Sequence, residues 1–200
     1  METVRRDGTE IDENRRKIME LYRSPYEAYP FLCDSMEDLR CDFELLTDEL
    51  ASRTGLLRAQ IMEKSFRQNS PGTEVLQEEL LWLCELIYHM NPTLRTKLTI
   101  TEEETKQLVE MVKRLETQCA HRCKRFVLTQ GCEAACTAHL LRVQGKQLVR
   151  LLYRHCEQGH SVPPMLFDLA NLLSGYFFFL ALKLNELEGV DEVPYVSRNY

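Results

Sequence analysis

Apolar residues recur every three or four positions along most of the chain, which is the spacing of one face of an α-helix. Turn signals separate these stretches, such as the Asn-Ser-Pro-Gly-Thr of residues 69–73 and the pair Asn91-Pro92. The helices predicted from this pattern lie at about 9–23, 34–68, 74–90, 101–126, 132–156 and 164–189. The sequence therefore predicts an all-α fold, a helical bundle of about six helices.

The second predicted helix is long and amphipathic, with short coiled-coil character. Its apolar positions alternate at spacings of four and three, the pattern of a heptad seam. This seam consists of Leu39, Phe43, Leu46, Leu50 and Leu57. Arg53 and the neighbourhood of Gly55 interrupt it, so the pattern fits both a short coiled coil and a long helix of a bundle.

Two capping-box patterns predict where helices begin. In this motif a short polar side chain caps the first amide groups of a helix, and a Glu three residues later reaches back to the cap. Asp34-Ser-Met-Glu37 has this spacing before the second predicted helix, and Thr101-Glu-Glu-Glu104 has it before the fourth. Both helices are predicted to start at these boxes.

The last predicted helix is apolar almost throughout. Asp168 and Lys183 bracket 14 positions that are nearly all apolar, and a bilayer needs about 20. The pattern favours an apolar core helix over the alternative of a C-terminal membrane anchor, so we expect no membrane association. The predicted organisation is a flexible N-terminus (1–8), a single helical domain (9–189) and a C-terminal tail (190–200).

Residues 119–139 hold four of the eight cysteines and two of the five histidines. If a turn is centred on residues 129–131, four side chains of the zinc-binding type lie level on facing helices. They are Cys119, Cys123, Cys136 and His139. Buried thiols also suit a contact between two helices, and no Cys-x2-Cys pair supports a metal. Packed thiols are therefore the preferred interpretation, with zinc as the alternative.

A third interpretation of this stretch is oxidative. Its two Cys-x3-Cys pairs, spread over about 18 residues, resemble those of the twin-cysteine proteins of the mitochondrial intermembrane space. The resemblance implies nested disulfides, but only eight residues separate the pairs, fewer than in that family, and Gly131 would lie inside a helix. The first residues contain no apolar stretch of a secretory signal. We therefore expect free thiols and a cytoplasmic or nuclear location.

Charge is unevenly distributed along the chain. Residues 113–154 contain nine Lys or Arg and two Glu, a net charge of +7, which leaves −13 for the remaining residues. Four cations recur at every fourth position of one predicted helix and form what we call the basic line. They are Arg142, Lys146, Arg150 and Arg154. Because like charges at this spacing repel, the line predicts an acidic counterpart.

Three counterparts fit the basic line. The first is the protein's own acidic helix, with Asp38, Asp42 and Glu49. The second is an acidic partner protein. The third is the phosphates of nucleic acid or lipid, although the overall charge of −6 and the lack of interleaved aromatic residues disfavour it.

The sequence shows none of the common catalytic motifs: no Gly-rich phosphate loop, no His-Glu-x-x-His and no Gly-x-Ser-x-Gly. We therefore expect no enzyme and no cofactor. The favoured function is a non-enzymatic adaptor or scaffold subunit of an intracellular complex. It would bind a protein with an acidic or helical surface through the seam and the basic line, as part of a homo- or hetero-oligomer. The alternatives are a protein that binds anionic phosphates with the basic line and a zinc-stapled bundle.

Overall fold

A computed structural model describes residues 22–68 and 73–198 of the chain, and side chains of residues 64–68 are not described. Within these residues the chain forms five α-helices and one short 3-10 helix. They are α1 (Leu39–Gln68), α2 (Glu74–Met90), the 3-10 helix (Asn91–Leu94), α3 (Glu102–Cys119), α4 (Glu133–Glu157) and α5 (Pro164–Leu187). The all-α prediction is confirmed, while the helix predicted at 9–23 falls almost entirely outside the described residues.

The apolar helix α5 is one of the core helices of the bundle. It packs against α3 and α4, and α1 packs against α2 and α4. Twelve of its residues are buried, among them Tyr176 and Phe177. By length and composition alone α5 could cross a membrane, but its burial is that of a core helix, as predicted. Each fully buried Leu or Phe side chain contributes about 1.5–3 kcal/mol to this packing.

One predicted helix start is confirmed and the other is wrong. At α3, the Thr101 hydroxyl accepts a hydrogen bond from the Glu104 amide (3.2 Å), and the Glu104 carboxylate accepts one from the Thr101 amide (2.8 Å). By contrast, α1 begins at Leu39, after the box predicted at residues 34–37. The Asp34 carboxylate instead lies 2.8 Å from Nη2 of Arg95. A distant cation therefore takes the group that was expected to cap the helix.

The fourth predicted helix ends earlier than expected. The helix α3 stops at Cys119, and residues 120–132, which we call the connecting loop, lead irregularly into α4. Within this loop Val127 forms an isolated antiparallel bridge with Pro194. The apolar spacing of the loop suggested a helix, but pairing with a distant segment overrides that local preference.

The heptad seam belongs to the protein's own core. Leu39, Phe43, Leu50 and Leu57 are completely buried, and Leu46 is partly buried against the core. These side chains were predicted to bind a partner protein. They are not accessible to one unless the bundle opens.

One arginine binds the segment before α1 that contains Phe31 and Asp34; we call this segment the connector. The Arg95 guanidinium carbon lies 3.6 Å from the centroid of the Phe31 ring. Its Nε donates to Glu44 (2.6 Å) and its Nη2 donates to Asp34 (2.8 Å). Glu44 is buried. This cluster ties the connector and α1 to the turn after α2.

Candidate functional site

A cavity of about 550 Å³ opens between the connecting loop, α4 and α5, and we call it the basic cavity. Most of residues 123–129 form one wall, Arg142 and Lys146 of α4 form another, and Ser174, Gly175 and Phe178 of α5 complete it. The volume is within the range of small-molecule sites in proteins. The cavity therefore combines cationic and aromatic side chains at a size that suits a small-molecule ligand.

Small residues bring α4 and α5 together at this cavity. A Cβ atom on Gly145 would lie 3.0 Å from Cβ of Ser174 and 3.1 Å from its backbone nitrogen, so the two helices touch almost backbone to backbone. The Ser174 hydroxyl donates to the Arg142 carbonyl at 3.1 Å. Next to it, Gly175 lines the cavity, and a Cβ atom there would lie 3.7 Å from Cγ1 of Val112 on α3. The small residues thus bring the two helices into close contact beside the cavity.

Arg142 enters the cavity as a partly buried cation. Its Nε atom is buried and has no hydrogen-bond partner among the described residues. Its guanidinium carbon lies 5.9 Å from the centroid of the Phe178 ring. Burial lowers the pKa of Arg142 from its ordinary value, because the charged form loses hydration. A cation in this situation favours a bound anion.

The remainder of the basic line is also unpaired over the described ranges. Lys146, Arg150 and Arg154 have no acidic side chain within ion-pair distance. Glu49 of α1 faces the same groove as Arg150 and Arg154, but it forms its ion pair with Arg53 at 2.7 Å. The acidic helix therefore lies beside the basic line, as one interpretation predicted, without neutralising it.

His139 lies beside the basic cavity, near Phe178 and Arg142. It is buried, its ring centroid is 6.5 Å from that of Phe178, and neither ring nitrogen has a hydrogen-bond partner in the described part of the chain. Burial and the positive charge of Arg142 lower the pKa of His139 to about 4. The imidazole is therefore neutral near pH 7. The charge of the cavity comes from Arg142 and Lys146 on α4 and from Lys124 and Arg125 on the connecting loop.

The structure does not bring together the four side chains of the alternative zinc site. No cysteine forms a disulfide within the described residues, and these residues contain no group of three or more His, Cys, Asp or Glu side chains that could hold a metal ion. The Cys119 thiol donates to the Phe179 carbonyl at 3.6 Å, and the Cys136 thiol donates to the Gly131 carbonyl at 3.7 Å. Because α3 ends at Cys119, the register that would have brought Cys123 level with Cys136 does not exist.

Sequence reasoning found the cationic half of this site and missed its aromatic half. The spacing places Arg142 and Lys146 on the basic line, but it predicts Phe126 in a helix and Phe178 in the core. In the structure Phe126 lies on the connecting loop with 85% of its surface exposed. The Ser174-Gly175 pair was a useful signal, because two adjacent small residues inside an apolar helix indicate a special contact at that point.

Solved structures of one enzyme from Lactobacillus reuteri have this fold. Its PduO-type ATP:corrinoid adenosyltransferase, as a phenylalanine-to-histidine variant complexed with cobalamin and ATP, gives a TM-score of 0.65 at 23% identity. The match covers 81% of this chain and 85% of that chain. A phenylalanine-to-alanine variant in the same complex gives 0.66 at 22% identity, covering 80% and 87%. At this level of identity the likeness establishes the fold.

The sequence is also similar to the corrinoid adenosyltransferase of Bacillus subtilis (strain 168), with 27% identity over 166 residues, 80% of this chain and 81% of that protein. A model of the cobalamin adenosyltransferase family matches residues 37–184. These matches are to enzymes. The predictions of a non-enzymatic adaptor and of a protein partner are therefore wrong. So are the alternatives of a protein that binds nucleic-acid or lipid phosphates and of a zinc-stapled bundle. Because the family model matches well over half of this chain, the chain belongs to the cobalamin adenosyltransferase family.

Proposed function

We propose that this protein transfers the adenosyl group of ATP to a corrinoid and that it binds the triphosphate of ATP in the basic cavity. The observation that carries the proposal is the presence of two unpaired cations, Arg142 and Lys146, in one cavity with aromatic side chains. The structurally similar enzyme of Lactobacillus reuteri was solved with cobalamin and ATP. These two compounds are therefore the ligands to test.

The chemistry of the transfer explains why cations are needed. When the electron pair of a cobalt(I) corrinoid forms a bond to the 5′-carbon of ATP, the bond from that carbon to the triphosphate oxygen breaks. The bonding electrons leave with the triphosphate, and no proton is transferred in this step. An external reductant must supply the cobalt(I) state beforehand. Arg142 and Lys146 would stabilise the charge that develops on the leaving triphosphate.

The aromatic side chains suit the second substrate. A whole corrinoid is larger than the basic cavity, so we place its ring at the mouth, against the exposed Phe126 on the connecting loop. A large flat ring and an aromatic side chain bury apolar surface from water when they meet. In this arrangement the corrinoid would cover the cavity that holds the triphosphate and exclude water from the reacting atoms.

The test is adenosylcobalamin formation from ATP and cobalamin that a chemical reductant has brought to the cobalt(I) state, followed by absorbance. Lys146→Met should raise the KM for ATP about tenfold, since it removes one charge-assisted contact to phosphate. Arg154→Met is the matched control, because Arg154 lies on the same basic line but does not line the basic cavity. It should leave the KM for ATP unchanged.

Two results would contradict the proposal. One is a correctly folded protein that forms no adenosylcobalamin and binds neither ATP nor cobalamin in equilibrium titrations. The other is a Lys146→Met variant with the KM of the unaltered protein, which would move the triphosphate away from this cavity.

We also propose a cytoplasmic location, supported by eight cysteines that form no disulfide in the described structure. The relative from Bacillus subtilis gives no support for the nuclear alternative. A homo-oligomer stays a prediction, and light scattering of the purified protein tests it.

A further inference from the structure

The segment that follows α5 lies on the connecting loop and pairs with it. The Leu128 amide donates to the Val193 carbonyl at 2.8 Å, and the Tyr195 amide donates to the Phe126 carbonyl at 2.8 Å. Between these bonds, Val127 and Pro194 form the antiparallel bridge. We call residues 190–196 the strap. Its backbone contacts fall on the part of the loop that lines the basic cavity.

A nearly buried ion pair fastens the start of the strap. Nε of Arg122 lies 2.6 Å from the Glu192 carboxylate, and the two side chains are only 12% and 9% exposed. The Arg122 guanidinium also donates to the Val190 carbonyl. Both partners of Arg122 belong to the strap, so this arginine of the connecting loop binds the strap twice. Shielded from water, such charge-assisted bonds are stronger than those on an open surface.

Asn185 fixes the other end of the connecting loop. Its side chain is completely buried, accepts from the Cys132 amide (2.9 Å) and donates to the Gln130 carbonyl (3.1 Å). The same amide group donates to Glu192 at 3.3 Å. Gly131, with φ of 141°, passes so close that a Cβ atom there would lie 1.9 Å from Asn185 Oδ1. Only glycine fits at this point of the loop.

These contacts hold the wall that carries the exposed aromatic residue of the site. The connecting loop supplies Phe126 and most of the other residues on one side of the basic cavity. The family match ends at residue 184, so Asn185 and the whole strap lie beyond it. The device that holds the loop is therefore a feature of this chain outside the matched region.

We infer that the strap positions the connecting loop for ligand binding, with Arg122, Asn185 and Glu192 as positioning residues that do not touch the substrates. This inference rests on the proposed function, because it takes the basic cavity as the substrate site. Release of the strap would free Phe126 and its neighbours and weaken corrinoid binding. The bundle itself would remain folded, since α5 and its core contacts do not depend on residues 190–196.

The experiment compares the full chain with Glu192→Gln, with a chain that ends at Gly189, with the pair Arg122→Met and Arg122→Lys, and with the control Asp191→Asn. Asp191 is an exposed neighbour of Glu192 that has no ion pair in the described structure. Hydrogen exchange at the Leu128 amide reports whether the strap is in place. The KM for cobalamin and the kcat of adenosyl transfer report its effect on the site.

We expect Leu128 to exchange at least about tenfold faster in Glu192→Gln and in the shortened chain, since opening of the strap becomes easier. The KM for cobalamin should rise about fivefold or more while kcat changes less than about twofold, because binding and not the transfer step is affected. Arg122→Lys keeps the charge and should recover part of the affinity that Arg122→Met loses. Asp191→Asn should behave as the unaltered protein.

The outcomes separate this inference from the proposed function. If the unaltered protein forms adenosylcobalamin and all strap variants show the same KM for cobalamin, the inference is overturned and the proposed function stands. A loss of kcat and thermal stability together, with KM unchanged, would also overturn it, since the strap would then be a structural element only. If the unaltered protein binds neither ATP nor cobalamin, both proposals are overturned.

Discussion

Two sets of arginine and lysine side chains in this molecule have opposite surroundings. In the first set each guanidinium meets a carboxylate: Arg95 contacts Asp34 and Glu44, and Arg114 lies 2.5 Å from Glu79. The second set is the basic line on α4, whose cations have no acidic partner within the described ranges. The first set joins distant parts of the chain, and the second leaves its charge available to a ligand.

The difference distinguishes cations that stabilise the fold from cations that are available to bind a ligand. Paired charges in partly buried positions hold segments together, and the removal of one partner leaves the other uncompensated. Unpaired charges beside a cavity weaken the folded state slightly, and a bound anion would remove that penalty. If this comparison is right, substitutions in the two sets must have opposite consequences for stability and for activity.

The largest expected effect belongs to Arg95, the most connected cation of the paired set. Arg95→Met should lower the free energy of unfolding by about 3–5 kcal/mol, because it leaves the buried Glu44 carboxylate without its partner. Urea denaturation at pH 7 measures this loss. Arg150→Met in the basic line is the control and should leave the midpoint unchanged. Equal losses of stability in the two variants would contradict the distinction between paired and unpaired cations.

A smaller effect is expected from His139, the neutral side chain beside the basic cavity. Its pKa is about 4 in the folded protein and about 6.5 in an unfolded chain. Below pH 6.5 the unfolded chain takes up a proton that the folded protein does not bind, so stability falls as the pH falls from about 6.5 to about 4. Between pH 7 and pH 5 the loss should be on the order of 2 kcal/mol.

Urea denaturation at both pH values checks this dependence, and an NMR titration of the imidazole reports the pKa of His139 directly. Burial also lowers the pKa of His155, which adds a loss of the same sign. The variant His139→Gln isolates the first contribution, since only the part due to His155 should remain. An imidazole of His139 that titrates near pH 6.5 would show that the α4–α5 interface admits water.

The smallest change in stability, and the sharpest contrast with Arg95, is expected from Arg142. Arg142→Met should raise the free energy of unfolding by about 1 kcal/mol, because an apolar side chain replaces a partly buried cation that has no partner. The same variant should lose at least about tenfold in kcat/KM for ATP. Denaturation and the adenosyl-transfer assay on one preparation test both statements. A variant that is both less stable and fully active would reverse the roles of the two sets.

The helices could be predicted from the sequence because their signals are local. The capping box at Thr101 and Glu104 lies within four residues, and the apolar periodicity of α5 lies within one element. The box at Asp34 failed because the carboxylate that would have capped α1 is bound by Arg95, 61 residues away. Local patterns predict an element when no distant group competes for the same atoms.

The site was predicted only in part, for the same reason. The spacing of Arg142 and Lys146 placed them on one face of a helix, but no pattern could tell whether their charges are paired. The apolar spacing up to Phe126 predicts a helix, whereas the backbone of residues 126–128 is bound by residues 193–195. A contact between segments more than 60 residues apart leaves no periodic trace in either of them.

The order of the helices along the chain has a consequence for how the protein folds during its synthesis. A ribosome makes the chain from its N-terminus, so α3 and α4 emerge before the apolar helix that covers them. Until α5 arrives, the faces that pack against it remain open to solvent, and a nascent chain in that condition is prone to aggregation. The bundle can therefore close only after α5 has left the ribosome and packed against α3 and α4. A chaperone would find the largest exposed apolar surface in the interval before that step.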